Sequence, residues 1–411
     1  MDQKCRSTLY LFFMISVDEA LNRILSRTLP VKAEEVPLSI SCGRILAETV
    51  RADRDAPPFD RVTMDGIAIH SSMLGDKSFF PVENIQAAGL PPFRLEDKTN
   101  CIEVMTGAVL PENTDCVIPY EQIKISDGVA YLYSADHQAL QNIHKKGRDA
   151  AQGETILTPG QVITPGIVGI LAAVGVARVQ VNSLPKIAIC STGDELVDID
   201  QQPEIHQIRK SNSYMLKAAL LEWDISADLF HLPDNKNAME KEMDQLVHKY
   251  QILLFSGAVS KGKFDFLPDV LQKMGMEKHI HGIAQRPGKP FLFGSFPETL
   301  VFGFPGNPAS TLVCFNIYFI PWLYQHLGIA RKIYSANLTK EVQFSKPLSY
   351  HLLVTISLDK GCLMATPLQN SGSGDLIHLG LADAVISLPP EKEIFEEGEV
   401  YPIFPLNKKF F

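Results

Sequence analysis

The chain has 411 residues, 45% of them hydrophobic and 21% charged, and a formal net charge of −9. That length exceeds what one ordinary core supports, so several domains are expected. The composition is that of a globular protein, and the negative balance argues against a nucleic-acid binder, although clustered Lys and Arg can still serve a small anionic ligand. The seven cysteines are scattered without a C-x-x-C pair, which fits a reduced cytosol better than a disulfide framework or a zinc site. The apolar run at 9–15 is too short to span a bilayer and no small-residue cleavage site follows it, so neither a membrane anchor nor a signal peptide is expected. Ser16, with Glu19 three residues on, reads as a capping box. Residues 1–13 are therefore expected to be an upstream extension outside the fold.

An amphipathic helix is predicted over 16–27, with Val17, Ala20, Leu21, Ile24 and Leu25 on one side. A strand and a short helix follow at 36–47. Pro57, Pro58 and Gly66 mark 55–66 as loop leading into a strand, and Asp65 before Gly66 has a plain reading as a turn residue. Residues 80–142 alternate short strands (82–88, 101–105, 115–118, 129–132) with turns such as Thr106-Gly107-Ala108, which predicts a small β-rich domain. From 148 to 175 the pattern becomes helical, with Thr164-Pro165 opening an apolar helix that stops at Gly175.

Pro185 begins a strand-helix alternation. Buried strands at 186–190, 225–232, 252–255 and 300–304 empty into Ser191-Thr192-Gly193-Asp194-Glu195, Pro233-Asp234-Asn235, Ser256-Gly257-Ala258 and Pro305-Gly306-Asn307-Pro308. A further strand near 279–283 leads to Gln285-Arg286-Pro287-Gly288-Lys289-Pro290. Helices are predicted after Ser211-Asn212-Ser213, at 239–250, at 267–274 and from 308 to about 327. This is the pattern of a doubly wound α/β domain with a mostly parallel sheet. After Gly328, strands at 338–344, 350–358, 362–367, 384–388 and 400–404 predict a compact β-barrel or sandwich.

In a right-handed parallel sheet the loops after the strands share one edge. Acids gather there (Asp194, Glu195, Asp234, Asp265), as do cations (Arg286 and Lys289, with Lys261 and Lys263 as further candidates). Carboxylates beside a phosphate are how Mg²⁺ is usually held, and Lys and Arg suit oxyanions. The small residues Ser256, Gly257 and Ser260 let backbone N–H groups approach an anion. Each group also has a plainer reading. Asp234, Asp265, Ser211 and Asn307 precede helices and could be N-caps, worth about 1 kcal/mol apiece. Arg286 and Lys289 could be solvated loop charges, although Pro287-Gly288 between them fixes a turn that aims both. The concentration of such loops on one edge favours a phosphate and metal site.

Pro57-Pro58-Phe59-Asp60, Met64-Asp65-Gly66-Ile67-Ala68, Thr106-Gly107-Ala108, Ser191-Thr192-Gly193-Asp194-Glu195-Leu196, Ser211-Asn212-Ser213-Tyr214-Met215, Ser256-Gly257-Ala258-Val259-Ser260, Pro287-Gly288-Lys289-Pro290 and Pro305-Gly306-Asn307-Pro308 occur in that order. Together they resemble the molybdopterin molybdenumtransferase family, which includes the C-terminal domain of gephyrin, across essentially all of residues 15–411. The resemblance implies four domains: an elongated dimerisation domain from 15–53 and 143–183, an inserted β-rich domain at 54–142, the α/β molybdopterin-binding domain at 184–328 and a C-terminal β-barrel at 329–411. It implies a cytoplasmic homodimer with shared active sites, and other cofactor-biosynthesis proteins as partners. The implied reaction inserts molybdate into adenylylated molybdopterin with Mg²⁺-dependent release of AMP.

Carried over by motif, Asp234 and Asp265 would hold Mg²⁺. Ser256, Gly257 and Ser260 would cradle phosphate and pterin. Arg286, Lys289 and Ser310 would bind molybdate, while Asp194, Glu195 and Asn212 would line the nucleotide pocket. Asp65 and Thr106 would come from the partner subunit. Asp65, Thr106, Glu195, Asp265 and Lys289 are the candidate catalytic groups. The chain departs from the family at several points: Ala258 replaces a common glycine, Arg286 replaces a lysine, and Lys263 stands where an acid is frequent. Leu352 stands where relatives often carry arginine, which leaves Ser373 as the candidate molybdate contact from the last domain. Two other readings compete. One is a nucleotide pyrophosphatase-like hydrolase on the same α/β fold, as in the competence-damage-inducible family. The other is a non-catalytic molybdopterin-binding scaffold. The β-rich inserted domain and the Asp65 motif argue against the hydrolase, and intact Asp234, Asp265 and Lys289 argue against a pure scaffold.

Overall fold

The computed structural model describes residues 14–257, 259, 265–369, 372 and 374–408. The chain forms two compact units: one is Ala33–Asn182, and the other takes in the described residues up to Lys32 and from Ser183 onward. Ser260 and Ser373, with Lys261 and Lys263, lie outside the described residues, as does the segment 1–13 read as an extension.

The first helix, Val17–Leu25, is capped as the sequence predicts: Ser16 Oγ accepts from Glu19 N at 3.1 Å. The Glu19 carboxylate takes Arg23 Nη2 at 2.5 Å. This helix packs within the Ser183-onward unit. Its buried stripe, Ala20 and Ile24, explains why it needs a partner. Trp322 Nε1 donates to Arg27 O at 2.8 Å and Gln325 Nε2 to Leu25 O at 2.6 Å, so the last helix of the α/β region satisfies the carbonyls at its C-terminal end.

The α/β region is built on a six-stranded sheet in the order Ala227–Leu232, Ile187–Thr192, Ile252–Ser256, Leu300–Phe304, Leu292–Ser295, Glu277–His281. The first four strands are parallel and the last two pairings are antiparallel. The Ile187–Thr192 and Ile252–Ser256 strands are buried throughout, as expected of strands covered on both faces. The long helix expected from 308 to 327 is present as Pro308–Cys314, a π-helical stretch Phe315–Phe319, and Ile320–Leu327. The π stretch precedes Pro321, whose missing N–H and bulky ring would break a regular α ladder. Gly328, left-handed at φ 74°, ends the helix.

Beyond it, Ser349–Asp359, Cys362–Pro367, Tyr334–Leu338, Val400–Pro405 and Ala384–Leu388 close into a five-stranded barrel, since the first pairs with both the second and the last. The strand expected at 338–344 is split: Tyr334–Leu338 carries the alternation that buries Ala336 and Leu338, the polar Thr339-Lys340-Glu341 interrupts it, and Val342–Gln343 forms a separate short strand.

In the other unit, six strands order as Cys116–Pro119, Gly66–Ile69, Cys101–Val104, Phe79–Gln86, Val129–Leu132, Ile123–Ser126. A second core gathers Val36, Leu46, Val179 and Val181 around the Ala33–Pro37 and Arg178–Asn182 pair. Among the described residues no helix is long and apolar enough to cross a membrane.

Candidate active site

The parallel strands end on one edge of the six-stranded sheet. The 282–291 turn opens on the same edge, because His281 stands opposite Leu292 and Leu292 opposite Gly303. A cavity of about 560 Å³ occupies this edge. Its walls include Glu195, Asn212, Asp234, Ser256, Gly257 and Asp265, six of the residues chosen from sequence. Asp194 is exposed and tied to one of them: its Oδ1 accepts from Asp234 N at 3.3 Å.

The capping alternatives resolve by geometry. The helix Lys236–Lys249 is capped by Asn235, whose Oδ1 takes Asn237 N at 3.0 Å and Ala238 N at 3.1 Å. Asp234 is thus not the cap. Phe266, not Asp265, holds the cap position of Leu267–Lys273. Ser211 precedes Asn212–Leu221 but makes no side-chain capping bond, contrary to expectation, because its own backbone is already helical at φ −88°, ψ −41°.

Asn212 ties the loops together. Its Nδ2 donates to Ser256 Oγ at 2.8 Å and to Gly306 O at 2.7 Å. Its Oδ1, like Thr192 Oγ1, is buried with no hydrogen-bond partner. A buried polar atom left unpaired costs about 1–3 kcal/mol, a cost that polar ligand groups could offset. Gly257 has φ 98°, and a Cβ there would lie 3.0 Å from Thr192 Oγ1, so the strand-end backbone sits tightly against Thr192. Both effects favour glycine at this position.

Electrostatics sets the four acids apart. Burial raises the Asp234 carboxyl above its ordinary value, and the charges of Asp194, Glu195 and Asp265 push the same way. A cation would relieve that repulsion. Among the described residues no three His, Cys, Asp or Glu side chains converge on a point that could hold a metal. A cation held by Asp234 and Asp265 would therefore share its coordination with ligand oxygens, as Mg²⁺ commonly does with phosphates. The donor set fits that arrangement.

A folded-state value above 3.8 means that folding takes up a proton at Asp234. The stability it contributes is fully present below the unfolded value and is lost as pH rises through the folded one. Asp234→Asn is accordingly expected to raise the melting temperature of the ligand-free protein at pH 7 and to abolish any rise on adding Mg²⁺. A variant that melts below its parent and still gains from Mg²⁺ would remove Asp234 from the site.

Three residues chosen for the oxyanion do not line this cavity. Ser310 is buried, 3% exposed, in the first turn of Pro308–Cys314. Arg286 and Lys289 are exposed on a turn whose end, Pro290, does reach the cavity wall. The Arg286 guanidinium lies 6.0 Å from the centre of the Phe344 ring. Leu352 packs in the barrel core.

Among the described residues, the cations in the wall are Arg209 and Lys210, which were not chosen. Lys210 Nζ lies 3.5 Å from Asp198 Oδ2, and Arg209 Nε donates to Gln201 O at 3.1 Å. Their signal was two adjacent cations immediately before Ser211-Asn212-Ser213.

Asp65 and Thr106 are brought together in the Ala33–Asn182 unit. Thr106 N donates to Asp65 Oδ1 at 2.5 Å. This bond, then one from the Thr106 side chain, holds the Asp65 carboxyl below its ordinary value. Both residues are exposed.

Residues 15–175 match the family described as MoeA N-terminal region (domain I and II). Residues 188–325 match a probable molybdopterin binding domain, and 335–406 the MoeA C-terminal region (domain IV). The chain is 39% identical over 397 residues to a molybdopterin molybdenumtransferase of Synechocystis, covering 95% of this chain and 100% of the relative. It is 30% identical over 414 residues to a Bacillus subtilis protein of the same name, covering 96% and 95%. Among solved structures, a molybdopterin biosynthesis moea protein from Pyrococcus horikosii matches with a TM-score of 0.81 at 29% identity, covering 96% of this chain and 99% of that one.

Proposed function

The chain belongs to the molybdopterin molybdenumtransferase family and is a transferase of molybdenum-cofactor synthesis; we propose that it inserts molybdate into adenylylated molybdopterin in the cytosol, with Mg²⁺-dependent release of AMP. The observation that carries this reading is the cavity at the sheet edge, where Asp234 and Asp265 share a wall with Ser256, Gly257 and Asn212. A pyrophosphate-linked substrate needs such a pairing of carboxylates for a cation with hydrogen-bonding groups for phosphate oxygens. Asp234 and Asp265 would hold Mg²⁺, which when bound would neutralise charge on the pyrophosphate. Ser256 and the Gly257 backbone would seat phosphate, Glu195 would face the nucleotide, and Asn212 would fix the strand-end loops around it. Arg286 and Lys289 would take molybdate. The deciding assay measures AMP release from adenylylated molybdopterin with and without molybdate and Mg²⁺. Release that ignores both would sink the reading.

The working form in this proposal is a homodimer with Asp65 and Thr106 contributed across subunits. The helix Pro165–Ala173 supports an interface. Its sequence, Pro-Gly-Ile-Val-Gly-Ile-Leu-Ala-Ala, has no polar side chain, yet only Leu171 is buried. Ile170 is exposed in the single chain, as are Val162 and Ile40 of the same unit. A second copy covering this helix would bury them.

Lys289→Ala is expected to raise the molybdate concentration needed for half-saturation by about ten- to a hundred-fold, the equivalent of one charged hydrogen bond, while leaving affinity for the adenylylated substrate near that of the parent. If nucleotide affinity falls and molybdate saturation does not move, Lys289 belongs to the phosphate instead.

A further inference from the structure

Behind the 286–289 turn lies a buried polar network that the reaction as described leaves unused. Gln285 is 1% exposed. Its Nε2 donates to Gly288 O, within the turn, at 3.1 Å and to Cys314 Sγ at 3.3 Å. Its Oε1 accepts from the Tyr318 hydroxyl and lies 3.3 Å from His351 Nε2. Those partners stand on three elements: the turn, the long helix with its π stretch, and the barrel strand Ser349–Asp359. The backbone repeats the link, because Gln285 and Arg286 pair in parallel with Ser349 and Tyr350.

The chemistry fixes which way the amide faces. Gly288 O only accepts, so Nε2 must face it, and Oε1 is left for the two donors behind. Burial pushes the His351 imidazole down to about 3. It is neutral at physiological pH, and its Nδ1 is buried without a partner, so the proton sits on Nε2 and is given to Gln285. The turn rests directly on the network. Gly288 has φ 89°, and a Cβ there would lie 2.3 Å from Cys314 Sγ and 2.6 Å from Gln285 Nε2. A primary amide is expensive to bury, and an apolar side chain of that size would serve packing alone. An amide engaged at both ends in this way instead specifies one geometry.

We propose that Gln285 is a positioning residue for oxyanion binding: anchored by Tyr318 and His351, its amide holds the 286–289 turn in the shape that presents Arg286 and Lys289 to molybdate. The inference rests on the assignment of that turn to molybdate. It extends the site to residues that touch no substrate, and it gives the barrel a part in the reaction. Pre-organising the turn removes an ordering cost from molybdate binding and leaves the pterin nucleotide unaffected.

Gln285→Met keeps the volume and removes both hydrogen-bonding ends. It is expected to raise the half-saturating molybdate concentration by about three- to ten-fold, the scale of one or two neutral hydrogen bonds, with kcat at saturating molybdate and KM for the adenylylated substrate within about two-fold of the parent. Lys289→Ala and the double variant are measured beside it. If the two changes act through one turn, the double variant should fall short of the product of the two effects, with the remainder carried by Arg286. Full additivity, or an unmoved molybdate half-saturation in Gln285→Met, overturns the proposal. So does a uniform loss in kcat and both affinities, which marks a merely structural residue. If Lys289→Ala leaves molybdate saturation unaltered, the turn is not the oxyanion site and the inference falls with that assignment. Should Gln285→Met fail to fold, Tyr318→Phe carries the same test: it removes one donor to Oε1 and is expected to shift molybdate saturation by about two- to five-fold. No shift there overturns it equally.

Discussion

Asp265→Asn is expected to fold like its parent and to release AMP on the order of a hundred-fold more slowly, since a metal at a phosphoryl group supplies several kcal/mol of charge stabilisation and about 1.4 kcal/mol is tenfold in rate. The fold should survive because the cap position of the following helix is Phe266, and Asn differs from Asp by one atom in nearly the same volume. The chemistry should not survive, because a neutral amide is a poor Mg²⁺ ligand. Asp265 is also one of the charges that raise the Asp234 carboxyl. Its neutralisation should let Asp234 ionise more readily, so the loss cannot be put down to a protonated Asp234. The measurement is AMP release across a Mg²⁺ titration, with the melting temperature as a control. Unchanged turnover at limiting Mg²⁺ would take Asp265 out of the metal site.

The same pair of acids shows how far the sequence could be read. Asp234 ahead of a helix reads equally as a cap or as a ligand, and periodicity cannot say which. Only the backbone, with Asn235 Oδ1 on two N–H groups, frees Asp234 for the cavity. The strands at 187–192, 227–232, 252–256 and 300–304 were legible because apolar runs ending in Gly, Pro, Ser and Asp punctuate themselves. Their sharing of one edge then followed from the handedness of parallel connections. The partner of the Val17–Leu25 helix was not legible: an amphipathic stripe declares that a face is buried without naming what covers it. Nor was the Gln285 network, whose members at 285, 288, 314, 318 and 351 are joined only by tertiary packing. Arg209 and Lys210 carry little signal of their own, since two adjacent cations on a polar stretch usually mark solvent.

Mixed dimers test the assembly most severely. Asp65→Ala and Asp265→Ala proteins are each expected to be nearly inactive. The two positions belong to different compact units of the chain, each with its own sheets. Asp65 is exposed, and Thr106 holds its carboxylate below the ordinary range. If each site takes Asp65 from one chain and the Asp234/Asp265 pair from the other, a hybrid of the two variants puts both defects in one site and leaves the second intact. Random exchange makes roughly half of the dimers hybrids, and each hybrid has one working site of two, so roughly a quarter of parental activity should return. Subunits carrying different tags, recovered together, establish that exchange has taken place. Hybrids that form and stay as inactive as their parents would mean that each site is built within one chain, and the shared-site proposal would be wrong.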